Sequence, residues 1–179
     1  MSSKVSSSSS PPSFSDKVIV ITGASSGIGA GLAKYFADHG AKVVLAARRL
    51  EVLEKVAANI GNPSNVLIHV ADVTKRADHE SLLATTLKKF GKVSVWINNA
   101  GAGVIKTFIE TTEEDLDVMF AVNTKSVLFG TQTAVKHFKQ HSTSKANEGV
   151  VINVSSVVGR VNIGSTVAAY RLVNDNDDV

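Results

Sequence analysis

Five short runs of β-branched and aliphatic residues, alternating with segments whose apolar residues recur at helical spacing, constrain this chain more than any other feature. The runs are Val18 to Thr22, Lys42 to Ala46, Val66 to Val70, Val93 to Ile97 and Val150 to Val154. They are almost continuously apolar, as strands covered on both faces must be. Between them, Leu50, Leu53, Ala57 and Ile60, then Leu83, Leu87 and Phe90, then Leu116, Met119 and Phe120, and finally Val127, Val135 and Phe138 mark amphipathic crossovers. Thr111 or Thr112, followed by Glu113, Glu114 and Asp115, has the composition of an N-cap with acids in the first turn. Strand and crossover in repeated alternation predict an α/β fold, a Rossmann-type doubly wound parallel sheet with five strands visible.

Composition narrows the classes further. The 179 residues are 44% hydrophobic and 20% charged, which fits one soluble globular domain. A net charge of +3, with no basic run longer than pairs such as Arg48-Arg49 and Lys88-Lys89, argues against a nucleic-acid partner. The chain has no cysteine, hence no disulfide framework, thiolate metal site or cysteine nucleophile. His39, His69, His79, His137 and His141 lack metal-ligand spacing and read as surface or helix residues, so no metal is expected. Residues 1–15, a serine run ending in Pro11, Pro12 and Ser13, read as a disordered leader without the apolar region of a signal peptide. No stretch is apolar enough to span a bilayer, and a cytoplasmic protein without a membrane partner is expected, an organelle-targeting use of the leader being the lesser reading. Residues 171–179 form an acidic tail whose Asp175-Asn176-Asp177 lacks the glycine turn and terminal glutamate of a calcium loop.

The first strand runs into Gly23-Ala24-Ser25-Ser26-Gly27-Ile28-Gly29, and Ala30 to His39 reads as helix. Glycines in such a turn let a pyrophosphate approach the main chain and aim a helix N-terminus at it. The plain structural use of the same residues is a tight strand-to-helix turn. Strand two ends in Ala46-Ala47-Arg48-Arg49, with no acid before Glu51 to hold an adenosine 2′-hydroxyl. A guanidinium there suits a 2′-phosphate, which favours NADP(H) over NAD(H), with Arg48 the better candidate and Arg49 an alternative. The competing use is an exposed basic pair in the strand-to-helix loop.

These motifs, with Asp72-Val73 after strand three, Asn98-Asn99-Ala100-Gly101 after strand four, Asn123, Asn153-Val154-Ser155-Ser156 at strand five and Tyr170, resemble the short-chain dehydrogenase/reductase family in its classical branch, over about residues 17–170. The resemblance implies an NAD(P)-binding domain over residues 16–170 and hydride transfer between a nicotinamide and a carbonyl or alcohol substrate. It implies that Gly23, Ser25, Ser26, Gly27, Ile28 and Gly29 hold the cofactor phosphates. Asp72 and Val73 would contact the adenine, and Asn99, Ala100 and Gly101 would line the cleft. Asn123, Ser156 and Tyr170 would be catalytic: Asn123 in a proton relay, Ser156 bonding the substrate oxygen, Tyr170 exchanging the proton. Ser155 takes the place of Ser156 only if the register differs. Singly, Asp72 also suits a helix cap, Asn98-Asn99 a turn, and Asn123 a junction between helices.

The pattern departs from the family after Tyr170. A tyrosine of ordinary pKa, about 10, needs a neighbouring cation to act as a base at neutral pH, and the family places a lysine four residues later. Here that residue is Asn174. Tyr170 also follows Ser156 by one residue more than most members have. The following helix, two strands and a substrate lobe of the family are not present in the sequence, which reads as a carboxyl-terminally truncated member with doubtful turnover. One sheet face is then expected to lie bare near Val18 to Val20 or Val151 to Val154, a surface for an oligomer or partner. The alternatives are a non-catalytic NADP-binding or interaction protein, or a truncated product without independent function.

Overall fold

The computed structural model describes residues 13–141 and 149–156. Five parallel strands stand in the order β3-β2-β1-β4-β5: β1 Val18–Thr22, β2 Lys42–Ala47, β3 Val66–Val70, β4 Val95–Asn98 and β5 Val150–Asn153. The helices are α1 Gly27–Asp38, α2 Leu50–Ile60, α3 Arg76–Phe90, α4 Glu113–Phe120 and α5 Ser126–His141, with a π-helical segment, Ala121–Lys125, joining the last two. This is the α/β, Rossmann-type sheet expected. The strand order reverses between β1 and β4, so a crevice opens beyond their carboxyl ends.

Alternation along β1 sorts the core into two layers. Ile19 and Ile21 pack with Val43, Leu45, Ala33 and Leu53 on one face, and Val18 and Val20 with Val44, Leu82, Trp96 and Ala134 on the other. Val18 to Val20 are therefore fully buried, contrary to the expectation of a bare face there. Exposure falls on β5, within and beside the second of the two expected ranges, where Val150 and Ile152 are 51% and 41% exposed.

Several helical stripes differ from the spacing-based reading. On α3 the fully buried residues are His79, Leu82 and Thr86, while Leu83, Leu87 and Phe90 pack partly at the flank. The Thr86 hydroxyl donates to the Leu82 carbonyl at 2.7 Å, which allows a polar residue into the core. On α4 only Met119 is buried, and Leu116 and Phe120 are substantially exposed. On α5 the sheet-facing residues are Ser126, Gly130, Thr133, Ala134 and His137, small or polar, because this helix lies close against Trp96 and Asn98. Buried helical histidines at 79 and 137 correct the surface part of their reading, and His69 lies in β3 rather than on a helix.

Boundaries shift by a few residues. β4 starts at Val95 and ends at Asn98, β5 ends at Asn153, and α1 starts at Gly27, capped by extended Ser26. Thr112 is the N-cap of α4: its hydroxyl accepts from Asp115 N at 3.2 Å, and Asp115 Oδ2 accepts from Thr112 N at 3.0 Å. Phe14, assigned above to the leader, donates its N–H to the His39 carbonyl at 2.9 Å and sets its ring edge-on to Phe36. Residues 1–12, Tyr170 and the 171–179 tail lie outside the described residues.

Candidate active site

At the carboxyl ends of β1, β2, β3 and β4 lies a cleft of about 480 Å³. Gly23, Ser25, Ser26 and Ile28 form its floor, Arg48 and Arg49 one wall, and Asp72 and Val73 the adjoining loop. Asn99, Ala100 and Gly101 close the other side. Ten of the sequence-derived positions thus converge on one crevice. Gly27 and Gly29 do not line it but shape the turn beneath.

The turn is built for close approach. Gly23 has φ +65°, and a Cβ there would sit 2.7 Å from Ala100 Cα. A Cβ on Gly29 would sit 2.4 Å from the Gly23 carbonyl oxygen, so α1 can start directly against the loop only without a side chain. Asn99 fixes the arrangement from β4, its Nδ2 donating to the Thr22 and Gly23 carbonyls at 2.9 and 3.3 Å. The Thr22 hydroxyl accepts from Asn99 N at 3.0 Å and Ala100 N at 3.2 Å. Asn99 therefore acts as a loop brace as well as a cleft residue. Ser26 and Ile28, at the N-terminus of α1, line the cleft, and the first N–H groups of a helix lack intrahelical partners, an arrangement suited to a phosphate.

Asn123 sits in the π-helical segment at the junction of α4 and α5, as expected, but its side chain bonds the loop after β4 rather than either helix. Its Oδ1 accepts from Ala102 N at 2.9 Å and its Nδ2 donates to Ala102 O at 2.8 Å. The wide π turn aims this side chain back at the loop after β4. Ser156 follows the carboxyl end of β5 and is partly buried. Tyr170 lies outside the described residues, so of the three positions the resemblance would make catalytic, only Asn123 and Ser156 are described.

Sequence reasoning missed Thr22, Ala47, Ala71, Ala102, Val118 and Val122, although all but Thr22 line the cleft, as does Arg49, the alternative to Arg48. Small residues at strand ends signal only close packing, and Val118 and Val122 reach the cleft from a helix face whose π turn the 3.6-residue period conceals. The Asp72 carboxyl lies below the usual carboxylate range, first through the Thr74 hydroxyl bond at 2.8 Å, and further through Lys75 and Arg48. It is an anion at neutral pH. Among the described residues no group of three or more metal-ligating side chains occurs, and no helix is long and apolar enough to cross a membrane.

Burial lowers the pKa of His79, His69 and His137 below the ordinary histidine value of 6.5. Each protonates less readily in the fold than when unfolded, so the unfolded state binds more protons as pH falls through 6.5. Stability is expected to be complete above that value and to decline below it. Melts at pH 7.5 and 5.5 check this, and an unchanged or higher midpoint at the lower pH would contradict it.

The family model described as short chain dehydrogenase matches residues 17–171. The chain belongs to the short-chain dehydrogenases. It is 42% identical over 147 residues to an uncharacterized oxidoreductase of Staphylococcus saprophyticus, covering 82% of this chain and 57% of that protein. It is 36% identical over 155 residues to the NADP-dependent (R)-specific alcohol dehydrogenase of Lentilactobacillus kefiri, covering 87% of this chain and 60% of the relative. A 3-ketoacyl-(acyl-carrier-protein) reductase from Brucella melitensis, solved with NADH, superposes with a TM-score of 0.81 at 35% identity, covering 90% of this chain and 65% of that one. This short-chain dehydrogenase chain spans about three fifths of the length of these curated relatives.

Proposed function

We propose that the cleft binds a nicotinamide dinucleotide, NADP(H) in preference to NAD(H), for an oxidoreductase acting on a carbonyl or alcohol carbon. The observation that carries the reading is Arg48 with Arg49 on the cleft wall where strand two ends, in the same cleft as Gly23, Ser25 and Ser26. The support is steric as well as electrostatic: the missing Cβ at Gly23 lets the loop close to within contact of Ala100, and the guanidinium groups of Arg48 and Arg49 offer fixed cations to a 2′-phosphate. The NADP-dependent relative named above supports the preference. When bound, the dinucleotide supplies the hydride chemistry. The chain's own residues divide the remaining work: Gly23, Ser25, Ser26 and the start of α1 hold phosphates, Asp72 and Val73 border the adenine, and Ser156 bonds the substrate oxygen. Asn123 orders the loop at Ala102, and Tyr170 exchanges the proton. Asn174 supplies no cation to Tyr170, so binding is expected to exceed turnover, and binding is the quantity to measure.

Thermal melts of the purified chain with saturating NADP or NAD provide the test. NADP is expected to raise the midpoint more than NAD, and Arg48→Ala to weaken NADP affinity by roughly tenfold while changing NAD affinity little. Equal losses for both cofactors would overturn the 2′-phosphate assignment, and no shift with either would overturn the binding site itself.

A further inference from the structure

The cleft-lining loop between β3 and α3 is held from behind by two residues that do not line the cleft. The Asp72 N–H donates to Asp78 Oδ2 at 2.7 Å, a charge-assisted bond. The next residue is tied as well, since the Val73 carbonyl accepts from His79 Nε2 at 2.9 Å. Both partners are consecutive residues near the start of α3, so the helix grips the loop at two adjacent main-chain groups. The Asp72 carboxylate is occupied on the other side, accepting from Thr74 N at 3.1 Å and Thr74 Oγ1 at 2.8 Å.

His79 is only 2% exposed, its ring stacked near Trp96 at 6.2 Å between centroids and edge-on to Phe129 at 6.3 Å. A carbonyl can only accept, so Nε2 carries the hydrogen and Nδ1 is bare. That Nδ1 is buried without a hydrogen-bond partner. Leaving a buried polar atom unsatisfied is costly, and an aromatic hydrocarbon would fill the same space beside Trp96 without that cost. What the imidazole adds over a phenyl ring is the bond to Val73. The neighbouring charges on α3, Asp78 and Arg76, act on the ring with opposite signs.

We propose that Asp78 and His79 are positioning residues for the adenosine end of the dinucleotide: they fix the Asp72–Val73 main chain in its binding conformation before the ligand arrives. The inference rests on the cleft being a dinucleotide site. A loop already ordered loses less entropy on binding, so the brace acts through affinity. It acts at one end of the ligand only, because the nicotinamide side of the cleft is built from β4 and the π-helical segment.

The test compares three probes on the full chain by calorimetry: NADPH, adenosine 2′,5′-bisphosphate and nicotinamide mononucleotide. His79→Phe keeps a ring in the core and removes the donor. It is expected to weaken NADPH and adenosine 2′,5′-bisphosphate about five- to tenfold, leaving nicotinamide mononucleotide unchanged, with His79→Gln restoring most of the loss. Should His79→Phe lose its cooperative melt, Asp78→Ala carries the same comparison, with faster hydrogen exchange expected at the Asp72 amide. Unchanged adenosine bisphosphate affinity in the folded variants, or an equal loss for the mononucleotide, would overturn the brace while leaving the cleft assignment standing. An unmodified chain that binds none of the three probes would overturn both.

Discussion

Gly29→Val is expected to abolish the cofactor-induced thermal shift and to lower the stability of the unliganded chain by about 3 kcal/mol or more, in the range of severe overpacking. The magnitude follows from what the new side chain meets. A Cβ at Gly29 lies 2.4 Å from the Gly23 carbonyl oxygen and 2.5 Å from Asn99 Nδ2. The first is backbone and cannot rotate aside. The second is the group that ties β4 to the loop through the Thr22 and Gly23 carbonyls. Either α1 moves away from the sheet or the loop opens, and both displace the helix N-terminus that faces the cleft. Gly31 provides the control on the same helix, because nothing lies within 4 Å of a Cβ there. Gly31→Ala is expected to be neutral or to stabilise by up to about 1 kcal/mol through helix propensity. Denaturant melts with and without NADP compare the two. A Gly29→Val chain with native stability and an undiminished ligand shift would show that the loop does not need this contact.

The sheet was legible because parallel strands buried on both faces are near-continuous apolar runs, and Val18 to Thr22 is buried along its whole length. The cleft was legible for a related reason: topology places the strand ends together, so Gly23, Arg48, Asp72 and Asn99 needed only their strands to be found. Helix faces were harder to read. Ser126, Gly130, Thr133 and His137 face the sheet on α5, yet an apolar-period search selects Val127, Val135 and Phe138, which are only partly buried. Close packing favours small side chains there, and a hydrophobic pattern registers size poorly. His79 escaped notice because a histidine among Asp78, Glu80 and Ser81 looks solvated, whereas its burial depends on Trp96 and Phe129, distant in sequence. The π turn at Asn123 left no signal in the residue spacing, since its register change adds no distinctive residue.

Asn98→Leu carries the second large effect, an expected destabilisation of about 3–5 kcal/mol from orphaned polar groups rather than lost volume. Asn98 is 3% exposed and connects three elements. Its Oδ1 accepts from Trp96 Nε1 at 2.9 Å, and its Nδ2 donates to Thr131 Oγ1 at 3.2 Å on α5 and to Asn153 Oδ1 at 2.9 Å on β5. Asn98 and Asn153 are direct partners in the β4–β5 register, so the side-chain bond reinforces the ladder at the end from which Ser155 and Ser156 emerge. Room for the amide comes from Gly130, where a Cβ would lie 2.2 Å from Asn98 Oδ1. Leucine has similar bulk, but it strands the Trp96 N–H in a fully buried layer and leaves Asn153 without its donor. Trp96→Phe removes the stranded indole N–H, so the double variant should lose about 1 kcal/mol or more less than the two single losses combined. Urea melts of the four chains measure this coupling. Strict additivity would mean that the indole does not depend on Asn98, and that the strand ends are held in register by the main-chain ladder alone.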